Sequence, residues 1–129
     1  MSGQTITPDV QQTTIDAMTE ITVEYQRTDQ IIVRVYVKDG DFNTGQWGHV
    51  QMAVLAGDSE LFFGSSPTGT IEASIGGYVA ALTGVPGGFG LEAPQGVRAS
   101  EITFRGVAAG AVLDGMFDAV DTVTTYDAL

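Results

Sequence analysis

Hydrophobic and polar positions along this chain change their period once, near residue 20. Before that point the pattern is helical and thin. Thr7-Pro8-Asp9 places Thr at an N-cap, Pro at the first helical position and Asp in the first turn. Val10, Thr14, Ala17 and Met18 then fall on one side. This predicts a short helix over 8–18, lying against the outside of something larger. From Glu20 the period is two. Ile21, Val23 and Tyr25 alternate with Thr22, Glu24 and Gln26. Ile31, Val33, Val35 and Val37 alternate with Ile32, Arg34, Tyr36 and Lys38. The pattern predicts two half-buried strands. A loop of Thr28-Asp29-Gln30 pairs Tyr25 with Val33, Val23 with Val35 and Ile21 with Val37, and sets Glu24 opposite Arg34. A loop one residue shorter would mix the two faces, so the matching register is expected.

Further strands follow at short spacing. Residues 47–55 end apolar on both faces (Met52, Ala53, Val54, Leu55), as a central strand does. Gly57-Asp58 turns the chain into a strand at 60–63, and 65–69 turns it again into one at 70–75. Residues 84–96 carry glycines with Pro86 and Pro94 and read as a loop. Residues 101–107 read as a strand on Ile102 and Phe104, and Asp114-Gly115 between two apolar runs is a hairpin signal. The segment 117–126 is open to two readings. Phe117, Val120 and Val123/Thr124 suit a helix, whereas its Val and Thr content favours a strand. The fold class expected is mainly β: an antiparallel β-sandwich or barrel of six to eight short strands with a short N-terminal helix. Residues 1–7 read as a flexible N-terminal arm, and 8–129 as a single β-rich domain.

Composition narrows the partners. Sixteen acidic residues against five basic ones give a net charge of −11, which disfavours direct contact with nucleic acid or anionic membranes. A hydrophobic content of 43% is too high for a disordered chain. Cysteine is absent, so disulfides and thiol chemistry are excluded, and no apolar run is long enough to span a bilayer. Lys38 is the one lysine, and Asp outnumbers Glu, a balance suited to high salt as well as to an ordinary acidic protein. Arg27, Arg34 and Lys38 lie close together, while long stretches elsewhere carry acids alone. Two surfaces of opposite sign would favour self-association; the simpler alternative is that the cations pair with nearby acids.

The candidate chemistry is sparse. Asp39, Asp41 and Asn43 stand at alternate positions like the first half of a calcium loop, but Thr44 and Val50 occupy the places of the required Gly and Glu. Calcium is therefore the one cofactor to consider, against a plain polar loop. His49 is the only histidine and reads as a surface or interface residue sharing a face with Trp47 and Gln51. Gly88-Phe89-Gly90-Leu91-Glu92-Ala93 matches a phosphate-loop spelling, but Pro94 and Gly96 argue against the helix such a loop needs. The better reading is a loop ordered by a neighbour, with Phe89 and Leu91 as exposed anchors. Asp114, Asp118 and Asp121 would share one face of a helix and form a solvated surface. Trp47, Tyr36 and Tyr78 could form a sugar-stacking platform, although such aromatics are more often core. No set of residues supplies nucleophile, base and orienting group together, so a non-enzymatic role is expected.

The polar arm from Ser2 to Ile6, the short strands from Ile21 onward, the run Val85-Pro86-Gly87-Gly88-Phe89-Gly90 and the run Val107-Ala108-Ala109-Gly110-Ala111-Val112 together resemble small structural proteins of tailed viruses. These are capsid decoration proteins, or tail and connector subunits. The resemblance covers layout only and carries no functional residue across. It implies a virion-located subunit that self-associates as a homo-oligomer and contacts other virion proteins; the loop and the clustered charge read above supply the interface candidates Phe89, Leu91, Arg27, Arg34 and Lys38. The competing class is a secreted or surface carbohydrate-binding β-sandwich using Trp47, with calcium at Asp39, Asp41 and Asn43.

Overall fold

Helix α1 runs from Pro8 to Thr28 without a break, ten residues past the end expected for it. In the computed structural model the residues described are 8–41, 43–44, 48–67 and 85–126. After α1 come β1 (Gln30–Lys38), β2 (His49–Ala56), β3 (Ser59–Pro67), β4 (Val85–Leu91), β5 (Val97–Arg105), α2 (Val107–Thr122) and the two-residue β6 (Thr125–Tyr126).

The strand expected at residues 21–26 is therefore helix. Ile21, Val23 and Tyr25 satisfy a period of two, but Ile21 and Tyr25 are also one helical turn apart. The longer stripe decides. Thr14, Met18 and Ile21 are fully buried, with Tyr25 half-buried below them, while Val23 stands out in solvent. Each aliphatic side chain buried in this way contributes roughly 1.5–3 kcal/mol, more than strand propensity can offset. The helix's threonines remain compatible with it because Thr19, Thr22 and Thr28 donate their hydroxyls back to the carbonyls of Ile15, Met18 and Glu24. Asp29 stops the helix. It adopts a left-handed φ of 57° and its N–H donates to the Tyr25 carbonyl at 2.7 Å.

The strands form one antiparallel sheet in the order β5-β1-β2-β3-β4-β6. Five of them have seven to nine residues, and β6 only extends one margin by two. The sheet is open rather than closed into a barrel. Among the described residues, the layer against it is two helices and not a second sheet. The sandwich or barrel expected from strand spacing gives way because 8–28 and 107–122 supply a helical layer. β2 lies centrally between β1 and β3, as its apolar end foretold.

One face of the sheet carries Ile31 and Val33 of β1, Met52, Val54 and Ala56 of β2, and Leu61 and Phe63 of β3. Phe89 and Leu91 of β4 and Phe104 of β5 complete it. Against them α1 presents Met18 and Ile21, and α2 presents Ala109, Leu113, Met116 and Val120. The α2 positions recur at intervals of four, three and four, so Asp114-Gly115 is not a hairpin but an exposed stretch of the opposite helix face. Asp114, Asp118 and Asp121 do share that solvated face.

The expected loop at 84–96 is a strand over its first half. Phe89 and Leu91 pack against the core instead of standing exposed, and Phe89 stacks on Phe63 with ring centroids 6.0 Å apart. Gly90 between them weakens β propensity, yet the strand forms because both neighbours find places in the core.

Candidate functional site

The face of the sheet turned away from the helices holds a buried polar cluster. Gln51 of β2, Ser66 of β3 and Glu92, just beyond β4, are all buried. His49, at the start of β2, stands beside them with 16% of its side chain exposed. Glu92 is the hub. His49 Nε2 lies 2.6 Å from Glu92 Oε1, and Gln51 Nε2 donates to the same oxygen at 3.0 Å. Ser66 Oγ donates to Glu92 Oε2. Gln51 also donates to the Ala93 carbonyl at 2.8 Å and accepts from the Gln95 N–H at 2.9 Å.

A carboxylate this deep is tolerable only when its oxygens are supplied with donors, and here three side chains supply them. The backbone makes space as well. Gly64 faces Gly90 across the β3–β4 ladder, and a Cβ on Gly64 would overlap Glu92 Oε1. The cluster contains serine, histidine and a carboxylate, but in the wrong order for nucleophilic catalysis. The carboxylate sits between the other two, and the Ser66 hydroxyl donates to Glu92 where an activated serine would donate to a histidine. What the arrangement does is tie β2, β3 and the segment after β4 together.

The two margins of the sheet differ sharply. At the β4 margin, β6 pairs with Val85 and Pro86, Gly87 N–H donates to the Thr124 carbonyl at 3.0 Å, and Leu91 N–H donates to Thr14 Oγ1 of α1 at 2.9 Å. At the opposite margin β5 is bare. Residues 97–102 are all exposed, and among the described residues nothing pairs with the outer side of this strand. Val37 of β1 faces Val50 of β2 on one side and Val97 of β5 on the other, and all three are exposed, Val97 to 75% and Val50 to 60%. Ile102, on the same face, is 55% exposed.

Charge is organised along this margin. Arg34 Nε donates to Glu101 Oε1 at 2.6 Å, and Arg34 also approaches Glu60 at 3.8 Å. Arg98 reaches the same Glu101 oxygen at 3.4 Å. The hydrogen bond from Arg34 holds the Glu101 carboxyl below the usual carboxylate range, partial burial opposing it and the charges of Arg34 and Arg98 adding to it. Reciprocally, Glu101 raises the Arg34 guanidinium above its ordinary value. Glu24, expected opposite Arg34, pairs instead with Arg27 one helical turn away at 2.7 Å. Three of the cations thus pair with nearby acids, while Lys38 and Arg105 make no ion pair among the described residues.

Asp39, Asp41 and Asn43 are exposed, and Asp41 Oδ1 accepts the Asn43 N–H at 2.9 Å in an ordinary Asx turn. Among the described residues, no three His, Cys, Asp or Glu side chains group as a metal site would. Tyr36 packs on Phe62 with centroids 4.9 Å apart, whereas Trp47 and Tyr78 lie outside the described residues, as does the arm at 1–7. His49 is part of a buried network and not a free surface residue. Among the described residues no helix is long and apolar enough to cross a membrane. Compared with protein-family models, curated proteins and solved structures, the chain matches none.

Proposed function

We propose that this chain is a non-enzymatic structural subunit that works through repeated protein–protein contacts, in an assembly of the virion type such as a capsid decoration layer or a tail or connector ring. The observation that carries the reading is the bare β5 margin with its exposed row of Val50, Val37 and Val97. A chain carrying −11 has ample polar residues to cover its surface, so exposed branched aliphatics in cross-strand register mark a contact surface. The buried cluster supports the same view from the other side. Its donors and acceptors are spent on one another, bracing a scaffold. The acidic balance fits a subunit that associates where salt screens its self-repulsion.

The test is a substitution on the row itself. Val97→Lys touches no core residue, so its unfolding transition should match that of the unaltered chain while its mass in solution falls. Equal masses for the two proteins would remove this surface from the account.

A further inference from the structure

We propose that β5 pairs antiparallel with β5 of a second copy of this chain, about a two-fold axis at Thr103. The inference rests on the assembly reading above and adds to its valine row a second contact on the same margin. Three observations lead to it.

The first is the asymmetry of the margins. An unpaired edge strand presents a row of N–H and C=O groups that will take another strand, and folded proteins normally cover such an edge. The β4 margin is covered by β6 and by the Thr14 hydroxyl, whereas among the described residues nothing covers the nine-residue β5. The second is the bulge. Pairing of β1 with β5 shifts between Val35 and Tyr36, leaving Ala99 without a partner, so the strand bends at 97–99 and stays regular over 100–105. At its other end Gly106 leads straight into α2. The free template is therefore about six residues long.

The third observation fixes register and partner together. Glu101, Thr103 and Arg105 alternate on the face away from the helices, and Ile102 and Phe104 on the face toward them. With the axis at Thr103, Glu101 of each copy faces Arg105 of the other, and Ile102 faces Phe104, each contact made twice. An axis at Glu101 would set two carboxylates against each other, and an axis at Ile102 would leave Glu101 facing Thr103. Arg105 is exposed and has no ion pair of its own, and Glu101 Oε2 takes no hydrogen bond among the described residues. Cross-strand pairs of opposite charge and of aromatic with branched aliphatic are those that stabilise sheets. The arrangement makes one continuous sheet from two copies, its helices all on one side.

The chain has no cysteine, so single-cysteine variants report the register directly. Residues facing each other on antiparallel strands lie roughly 4.5–5.5 Å apart at Cα, within disulfide reach. Thr103→Cys should cross-link to a dimer under a mild oxidant. Ser100→Cys, whose two copies lie roughly 20 Å apart in this register, should not. Arg105→Glu, placed in the Thr103→Cys chain, should slow cross-linking about tenfold by setting carboxylates against one another. Each variant's unfolding transition is compared with that of the unaltered chain. A defined oligomer in which Thr103→Cys fails to cross-link overturns the pairing and leaves the assembly reading standing. Equal cross-linking at both positions overturns the register. A monomer that cross-links at neither position overturns both.

Discussion

Gly64 lies directly beneath the carboxyl group of Glu92, so close that no side chain fits between them. A methyl group there must displace a buried carboxylate that holds three donors. Gly64→Ala is expected to destabilise the chain by about 2–4 kcal/mol, read from the midpoint of urea unfolding. Gly115 is the control. It sits on the exposed face of α2 with nothing within 4 Å of its missing Cβ, so Gly115→Ala should stabilise by about 0.5–1 kcal/mol. Equal effects at the two glycines would contradict the close approach.

Glu92 itself should be the most sensitive polar residue of the sheet. Glu92→Leu leaves the His49, Gln51 and Ser66 donors facing an apolar side chain, at a cost of about 3–5 kcal/mol. Ser66→Ala removes one donor of three and should cost about 1–2 kcal/mol. The same unfolding experiment ranks them. The reverse ranking would mean that the cluster does not centre on the carboxylate.

Tyr25 joins the two helices. Its hydroxyl donates to the Gly106 carbonyl at 2.7 Å, and Gly106 N–H donates in turn to the Asp29 carbonyl at 2.9 Å. Tyr25→Phe should cost about 1 kcal/mol and speed amide exchange at the start of α2, leaving exchange in β2 and β3 unchanged. Uniform acceleration across the chain would show that the contact is not local.

The attachment of β5 to β1 should depend on pH in a defined direction. Because folding holds the Glu101 carboxyl below its ordinary range, the stabilisation is complete above that range and is lost as pH falls through the folded value. Amide exchange in β5 should therefore hold steady from pH 7 to about 5, after allowance for intrinsic rates, and accelerate below about 4. Glu101→Gln should remove this dependence. The pair is partly exposed, so molar salt should weaken it too.

Much of the sheet was legible because some segments admit only one period. Residues 31–38 alternate for too long to be helical, and 47–55 ends in an apolar run that only a central strand takes up. Residues 21–26 were not legible in isolation. Six residues with apolar positions at 21, 23 and 25 fit a strand as well as they fit the outer turns of a helix, and only burial of the stripe from Thr14 to Ile21 separates the two. Glycine misled at 87–90, where it lies within a strand and not a turn, and Asp114-Gly115 misled because α2 tolerates both on its wet face. The polar cluster was beyond reach for another reason. Glu92 meets partners 43, 41 and 26 residues away, and no local pattern announces such a meeting. Gly64, the glycine that makes room for Glu92, lies 28 residues before it and carries no local sign of that role.

The most direct test of the assembly account is the solution mass of the unaltered chain by light scattering, from dilute buffer to molar salt. Screening shortens from about 10 Å at 0.1 M to about 3 Å at 1 M, which relieves repulsion between copies carrying −11 each. A defined oligomer that persists or grows as salt rises is the result expected. A mass of one chain, 13.5 kDa, at every salt concentration would contradict the account.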